Sequence, residues 1–249
     1  MYEVEFVAGW SAANHPTSFP PNPHFSPLIG ATHTDVVSLW APGGIATNGI
    51  EVMAETGSPA PLRNEVDAYI AVDLADQFIN LGPIALSPDS RSGMIEVDRA
   101  FPMLSLVTMI APSPDWFVGI HDLDLRAGGV WLDEVVIDLE PYDSGTDAGV
   151  DYVSGNSDIT PHLPIANISD GFPFAGSPRI GTLRITRVSE AGCVRADLSA
   201  PYGELDFFDV SAFLSAFSEG DPDADFNDDG VFDFFDVSAF LSELSGGCP

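Results

Sequence analysis

Apolar and polar residues alternate at the start of the chain, in Tyr2-Glu3-Val4-Glu5-Phe6-Val7, with the two-residue period of a strand that buries one face. Residues 103–110 form a mostly apolar run, the pattern of a buried strand. Residues 130–139 carry Val135-Val136-Ile137, and Leu183-Arg184-Ile185-Thr186 alternates again. Clusters of Pro, Gly, Asp and Ser, such as Ala111-Pro112-Ser113-Pro114-Asp115, separate these runs. Short strands between turn formers predict a mainly β fold for residues 1–188, an antiparallel β-sandwich. Residues 59–80 fit two patterns. Leu62, Val66, Tyr69 and Ile70 have helical spacing, while residues 69–72 would equally serve as a strand.

Near residue 189 the period changes. Asp206-Phe207-Phe208-Asp209-Val210-Ser211-Ala212-Phe213-Leu214-Ser215 recurs without change as residues 233–242. In each copy the apolar residues fall at i, i+3, i+4 and i+7: Val210, Phe213, Leu214, Phe217, then Val237, Phe240, Leu241, Leu244. The pattern predicts two amphipathic helices that bury their stripes against each other, because one such unit is too small to bury its stripe alone. Residues 189–249 also hold nine of the 17 Phe. A domain boundary is therefore expected near Ser189-Glu190-Ala191-Gly192, giving domains 1–188 and 189–249. The pairs Phe207-Phe208 and Phe234-Phe235 are either core or a partner surface; so small a module needs every apolar side chain, which favours core.

Charge narrows the function. Against 38 Asp and Glu stand 8 basic residues, all Arg, for a net charge of −30. Nucleic-acid binding and a grip on anionic membranes are excluded by the missing basic stripe. Schiff-base chemistry and a phosphate-binding lysine are excluded by the missing Lys. No apolar run approaches the roughly 20 residues of a membrane span. Such a surplus of carboxylates favours a hard divalent cation, Ca²⁺ above all. Before the second helix, residues 225–236 carry the spacing of an EF-hand loop. Asp225, Asn227, Asp229, Asp233 and Asp236 stand at positions one, three, five, nine and twelve, and Gly230 at six. The Val231 carbonyl would be the backbone ligand. In the first copy Asp197, Asp206 and Asp209 are the candidates, but Ser199 and Pro201 stand where further ligands belong. Nearer the start, Asp143 and Asp147 flank Gly145, a spacing that serves a shared cation or two Asx-turns equally well.

The paired Asp-rich loop-helix units, bracketed by Cys193 and Cys248, resemble a dockerin type I-like module of the kind seen in secreted planctomycete proteins. That resemblance implies a calcium-dependent anchoring module with a cohesin-like partner. Here Phe-Phe replaces the small polar residues with which cellulosomal dockerins read cohesin, so recognition of that kind is in question. The two cysteines are too few for a CxxC-type zinc site and point to a Cys193–Cys248 disulfide, which would stabilise by about 4 kcal/mol. A disulfide implies an oxidising compartment, hence a secretion signal already removed.

Residues 1–188 carry no nucleophile elbow, no His-Glu-x-x-His and no phosphate loop. They do carry Trp10-Ser11, His15-Pro16, His24-Phe25-Ser26-Pro27-Leu28-Ile29-Gly30-Ala31-Thr32-His33 and Ala54-Glu55-Thr56-Gly57-Ser58-Pro59. Further on come Ala111-Pro112-Ser113-Pro114-Asp115-Trp116-Phe117-Val118-Gly119 and Asp143-Ser144-Gly145-Thr146-Asp147-Ala148-Gly149. In this order these segments resemble the spondin domain of F-spondin. The resemblance implies an antiparallel β-sandwich like calcium-dependent lipid-binding domains, with Asp115, Asp143 and Asp147 as metal ligands, and a place in extracellular matrix and adhesion. Residues 124–129 lack the cysteines of F-spondin. The expectation is a secreted calcium-binding attachment protein, not an enzyme, with an extracellular protein or glycan partner. The alternative is a carbohydrate-binding accessory using Trp10, Trp40, Trp116 or Trp131, for which core packing is the preferred role.

Overall fold

The computed structural model describes residues 1–128, 130–177, 179–188, 194–199, 202 and 205–247. The chain divides into two compact units, one of Met1–Ala127 with Leu132–Arg187, the other of Val188–Pro249 with Gly128–Trp131. Cys193 and Cys248, and with them the expected disulfide, lie outside the described residues.

In chain order the first elements are β1 (Tyr2–Ala8), β2 (His24–Phe25), β3 (Ile29–His33), α1 (Asn48–Thr56), α2 (Ala60–Ile70), β4 (Ala75–Asn80) and β5 (Ser90–Ile95). There follow β6 (Met103–Ala111), β7 (Trp116–Asp124), β8 (Arg126–Ala127), β9 (Val130–Trp131), β10 (Glu134–Leu139), β11 (Tyr142–Asp143), β12 (Ala166–Asn167) and β13 (Gly181–Arg187). The tail adds α3 (Phe207–Glu219), a 3-10 turn (Pro222–Ala224) and α4 (Phe234–Gly246). Among the described residues no helix is long and apolar enough to cross a membrane.

Alternation in β1 buries Tyr2, Val4, Phe6 and Ala8. That strand runs antiparallel between β5 and β13, in the four-stranded order β10-β13-β1-β5. A second antiparallel sheet has the order β12-β11-β7-β6-β3-β4, with β2 paired to β6. Phe6 of the first sheet meets Phe25 of the second edge-on at 5.0 Å, and the two sheets together are consistent with a sandwich. β6 is buried from Leu104 to Ala111 because its other face is covered by helices: Ile50, Met53, Leu62 and Val66 share a core with Val107, Met109 and Phe117. Close strand approach at Gly30 requires its missing Cβ, which would sit 1.8 Å from the Ser105 carbonyl oxygen.

Residues 59–80 resolve into both patterns in succession. Ala60–Ile70 is helix and Ala75–Asn80 is strand, so residues 69–72 are not a strand. α1 is an addition to the mainly β expectation for residues 1–188, which placed no helix before residue 59. It is capped by the Thr47 hydroxyl, which accepts from the Ile50 amide at 3.3 Å, and closed by Gly57 at φ 69°.

In the second unit α3 and α4 start alike. Asp206 and Asp233 are N-caps, and Asp209 and Asp236, three residues on, complete capping boxes. Phe213 and Phe240, equivalent positions of the repeat, stack face to face at 4.1 Å, and Phe226 packs edge-on against both. Two expectations are corrected here. Leu214 and Leu241 are exposed at 56% and 51%, so the buried stripe is narrower than the spacing implied. Phe207, Phe208, Phe234 and Phe235 are exposed at 75%, 61%, 75% and 65%, not core. The capping boxes explain this: each turns the third helical residue, Asp209 or Asp236, inward, which leaves the first two facing out.

Candidate metal centre

Asp115 lies in the turn between β6 and β7. The Ser113 hydroxyl accepts from the Trp116 amide at 3.1 Å and closes that turn. Asp115 is 0% exposed, and the loop after β11 wraps around its Oδ2. That oxygen accepts from the Ser144 hydroxyl at 2.9 Å, the Thr146 amide at 2.9 Å and the Asp147 amide at 3.1 Å. Its Oδ1 is buried with no hydrogen-bond partner among the described residues. A buried carboxylate oxygen without a donor is costly unless a cation or proton satisfies it.

Asp143 and Asp147 are brought to the same loop. Asp143 accepts from the Gly145 amide at 2.8 Å and from the Trp116 indole at 3.3 Å. Burial, then the neighbouring Asp115 charge, push its carboxyl up to about 6. Asp147 accepts from the Gly149 amide at 2.6 Å and the Ser157 amide at 2.7 Å. Both Asx-turns are therefore present, around a Gly145 at φ 78° whose Cβ would lie 2.2 Å from the Leu163 carbonyl oxygen.

The structure adds a group that sequence reasoning missed. Glu55, in the last turn of α1, has a buried Oε1 with no hydrogen-bond partner among the described residues. Burial raises its carboxyl above the ordinary range, and Glu51, Asp115 and Asp147 add to the rise against a hydrogen bond from Thr146. Glu55 and Asp147 line a cavity of about 220 Å³ with Thr56, Ser113, Pro114, Ser154 and Asn156. The available signal was Glu51 and Glu55 four apart, a like-charge pair that costs a helix stability without some other use.

Among the described residues, one set of three metal-type side chains brings its donor atoms within 4.8 Å of one another: Glu51, Asp158 and His162. The His162 Nε2 is 3.8 Å from Glu51 Oε1. Asp115, Asp143 and Asp147 share a loop end without converging that tightly.

In the tail, Asp225 Oδ2 accepts from the Gly230 amide at 2.8 Å and its Oδ1 from the Asp229 amide at 3.1 Å. Asn227 accepts from the Asp229 amide at 3.1 Å, and Asp229 from the Val231 amide at 2.8 Å. Positive φ at Asp228 and Gly230 bends the chain around these side chains. Asp233 caps α4 by accepting from Phe235 at 2.7 Å. Asp236 accepts from Asp233 at 2.9 Å and Asn227 at 3.3 Å, amides that hold its carboxyl below the usual range. In the first copy Asp209 accepts from the Leu198, Ser199 and Asp206 amides, Asp206 caps α3, and Asp197 is buried. The remainder of that loop, residues 200, 201, 203 and 204, lies outside the described residues. Arg195, the tail's single basic residue, holds the Asp225 carbonyl at 2.6 Å and pairs with Asp228 at 3.2 Å.

Compared with known proteins, the chain matches the family described as Spondin_N over residues 1–177. It is 32% identical to Spondin-2 of Homo sapiens over 176 residues, covering 69% of this chain and 53% of that protein. It is 35% identical to Spondin-1 of Gallus gallus over 171 residues, covering 66% of this chain and 21% of that protein. The chain thus spans about half the length of Spondin-2 and about a fifth of Spondin-1.

Proposed function

Since the chain belongs to the spondin N-terminal-domain family, we propose that its first unit is a calcium-stabilised adhesion module of a secreted protein. In this reading Asp115, Asp143 and Asp147 hold the ion, and residues 189–249 serve as a dockerin-like calcium-binding anchor for an extracellular partner. The role is attachment, not catalysis. The observation that carries it is the buried, undonated Oδ1 of Asp115 beside two further carboxylates. Calcium supplies charge neutralisation there: carboxylates that repel one another become ligands of one centre, so binding stabilises the folded loop.

For the anchor, support comes from the oxygen side chains of residues 225–236, which curl round a common turn in the EF-hand order. The outward Phe pairs leave an apolar surface to a protein partner. The glycan alternative has less behind it. Trp10, Trp40 and Trp116 are buried, Trp40 against Phe117 at 4.9 Å and Tyr142 at 5.0 Å, so those indoles serve the core.

The test is thermal unfolding of the whole chain in calcium and in a chelator. At a hundredfold excess over its Kd, one ion stabilises by about 2.7 kcal/mol, which for a domain of this size is a shift of about 5 to 10 °C. Asp115→Asn should remove the part of the shift that belongs to the first unit, read by near-ultraviolet signals of its buried Trp. Superimposable melts with and without calcium would refute the proposal.

A further inference from the structure

Resting on the calcium reading above, we propose that Glu55 is a fourth carboxylate ligand of the ion at Asp115, reaching it from α1. Two buried carboxylate oxygens in this unit lack any hydrogen-bond donor among the described residues, Asp115 Oδ1 and Glu55 Oε1. They come from different elements, a turn at the end of β6 and the last turn of α1. Side chains beside both open onto one cavity, where Glu55 and Asp147 stand with Ser113 and Pro114, the residues just before Asp115. Asp115 is wholly buried, so bulk water does not solvate its free oxygen.

The helix is a rigid carrier. Ile50 and Met53 are buried, Gly57 stops the helix, and the Gly49 amide donates to Glu65 of α2 at 2.7 Å. Glu51, one turn earlier, has a different use, since it stands against His162. Calcium takes six to eight oxygens at about 2.3–2.6 Å, more than three aspartates supply when each gives one oxygen, and glutamate has the reach to add one or two. The consequence is structural: the ion would join the helical layer to the loops of the sheet.

The experiment uses the full chain carrying Asp229→Ala, so that the tail loop does not obscure the signal. Calcium chloride is titrated by calorimetry into this chain and into its Glu55→Gln and Glu51→Gln forms. Glu55→Gln should weaken calcium at least tenfold, and Glu51→Gln by less than twofold. Melting should add a reversal of sign. Without calcium, Glu55→Gln relieves repulsion and melts higher than its parent; in saturating calcium it melts lower. A merely structural glutamate would shift both melts the same way. If Glu55→Gln does not fold, Glu55→Asp keeps the charge on a shorter arm and should bind at an intermediate level. Native affinity in Glu55→Gln or Glu55→Asp, with native binding intact in the parent, overturns the role of Glu55 alone. No heat in the parent overturns the calcium reading beneath it.

Discussion

Asp143 occupies a place that suits its neutral form. Its carboxyl, ordinarily near 3.8, is pushed up to about 6 by burial and by Asp115. The sign follows from proton counts: between these values the folded chain binds more protons than the unfolded one, so stability falls as pH rises. In chelator, the midpoint of urea unfolding should therefore decline from about pH 4 to about pH 6 through this group, and Asp143→Asn should flatten that decline. A decline of the same size in the variant would mean that another group is responsible. Asp143, Gly145 and Asp147 were legible in sequence as two Asx-turns about a glycine, one of the two readings their spacing allowed, because Asx-turn chemistry is local. Glu55 was not, because its meaning depends on a partner about 60 residues away, and no local pattern encodes the direction in which a helix points its last turn.

At the scale of elements, the tail helices show a repeat working as a pair. The 3.6-residue period identified Phe213 and Phe240 as core, and they stack on each other. It could not place the Phe pairs, because the capping boxes, not hydrophobicity, set which way the first turn faces. Phe234→Ser with Phe235→Ser should thus leave stability within about 0.5 kcal/mol of native, whereas Phe240→Ala should cost about 3–5 kcal/mol. Denaturant melts followed by helical circular dichroism would check both, and equal losses would return the exposed pairs to the core. α1 escaped periodic reading because Asn48-Gly49-Ile50-Glu51-Val52 mixes poor helix formers; only Thr47 before it and Gly57 after it marked its ends.

For the whole molecule, 38 acidic side chains against 8 Arg make self-repulsion a standing cost of the folded state. Ion pairs such as Arg126–Asp124 and Arg179–Asp138 are exposed and offset little of it. Raising salt from about 0.01 M to about 1 M shortens the screening length from about 30 Å to about 3 Å. In chelator the melting temperature should climb with salt, and in saturating calcium it should climb less, because the closest carboxylates are already neutralised. A fall with salt would assign the net stabilisation to the few ion pairs. The sandwich class was readable from strand-length runs and turns. Strand order was not, since the neighbours that define it, Tyr2 beside Arg187 for one, are set by pairing across nearly the whole unit.

That pairing governs how the polypeptide is born. β13 lies between β10 and β1, so the four-stranded sheet has a gap in its middle until residues 181–187 leave the ribosome. A nascent chain halted before Gly181 holds its first strand with one edge open, a template for the wrong neighbour. Closure is reserved for the last segment of this unit to be made, and completion of its sheet falls on its final seven residues.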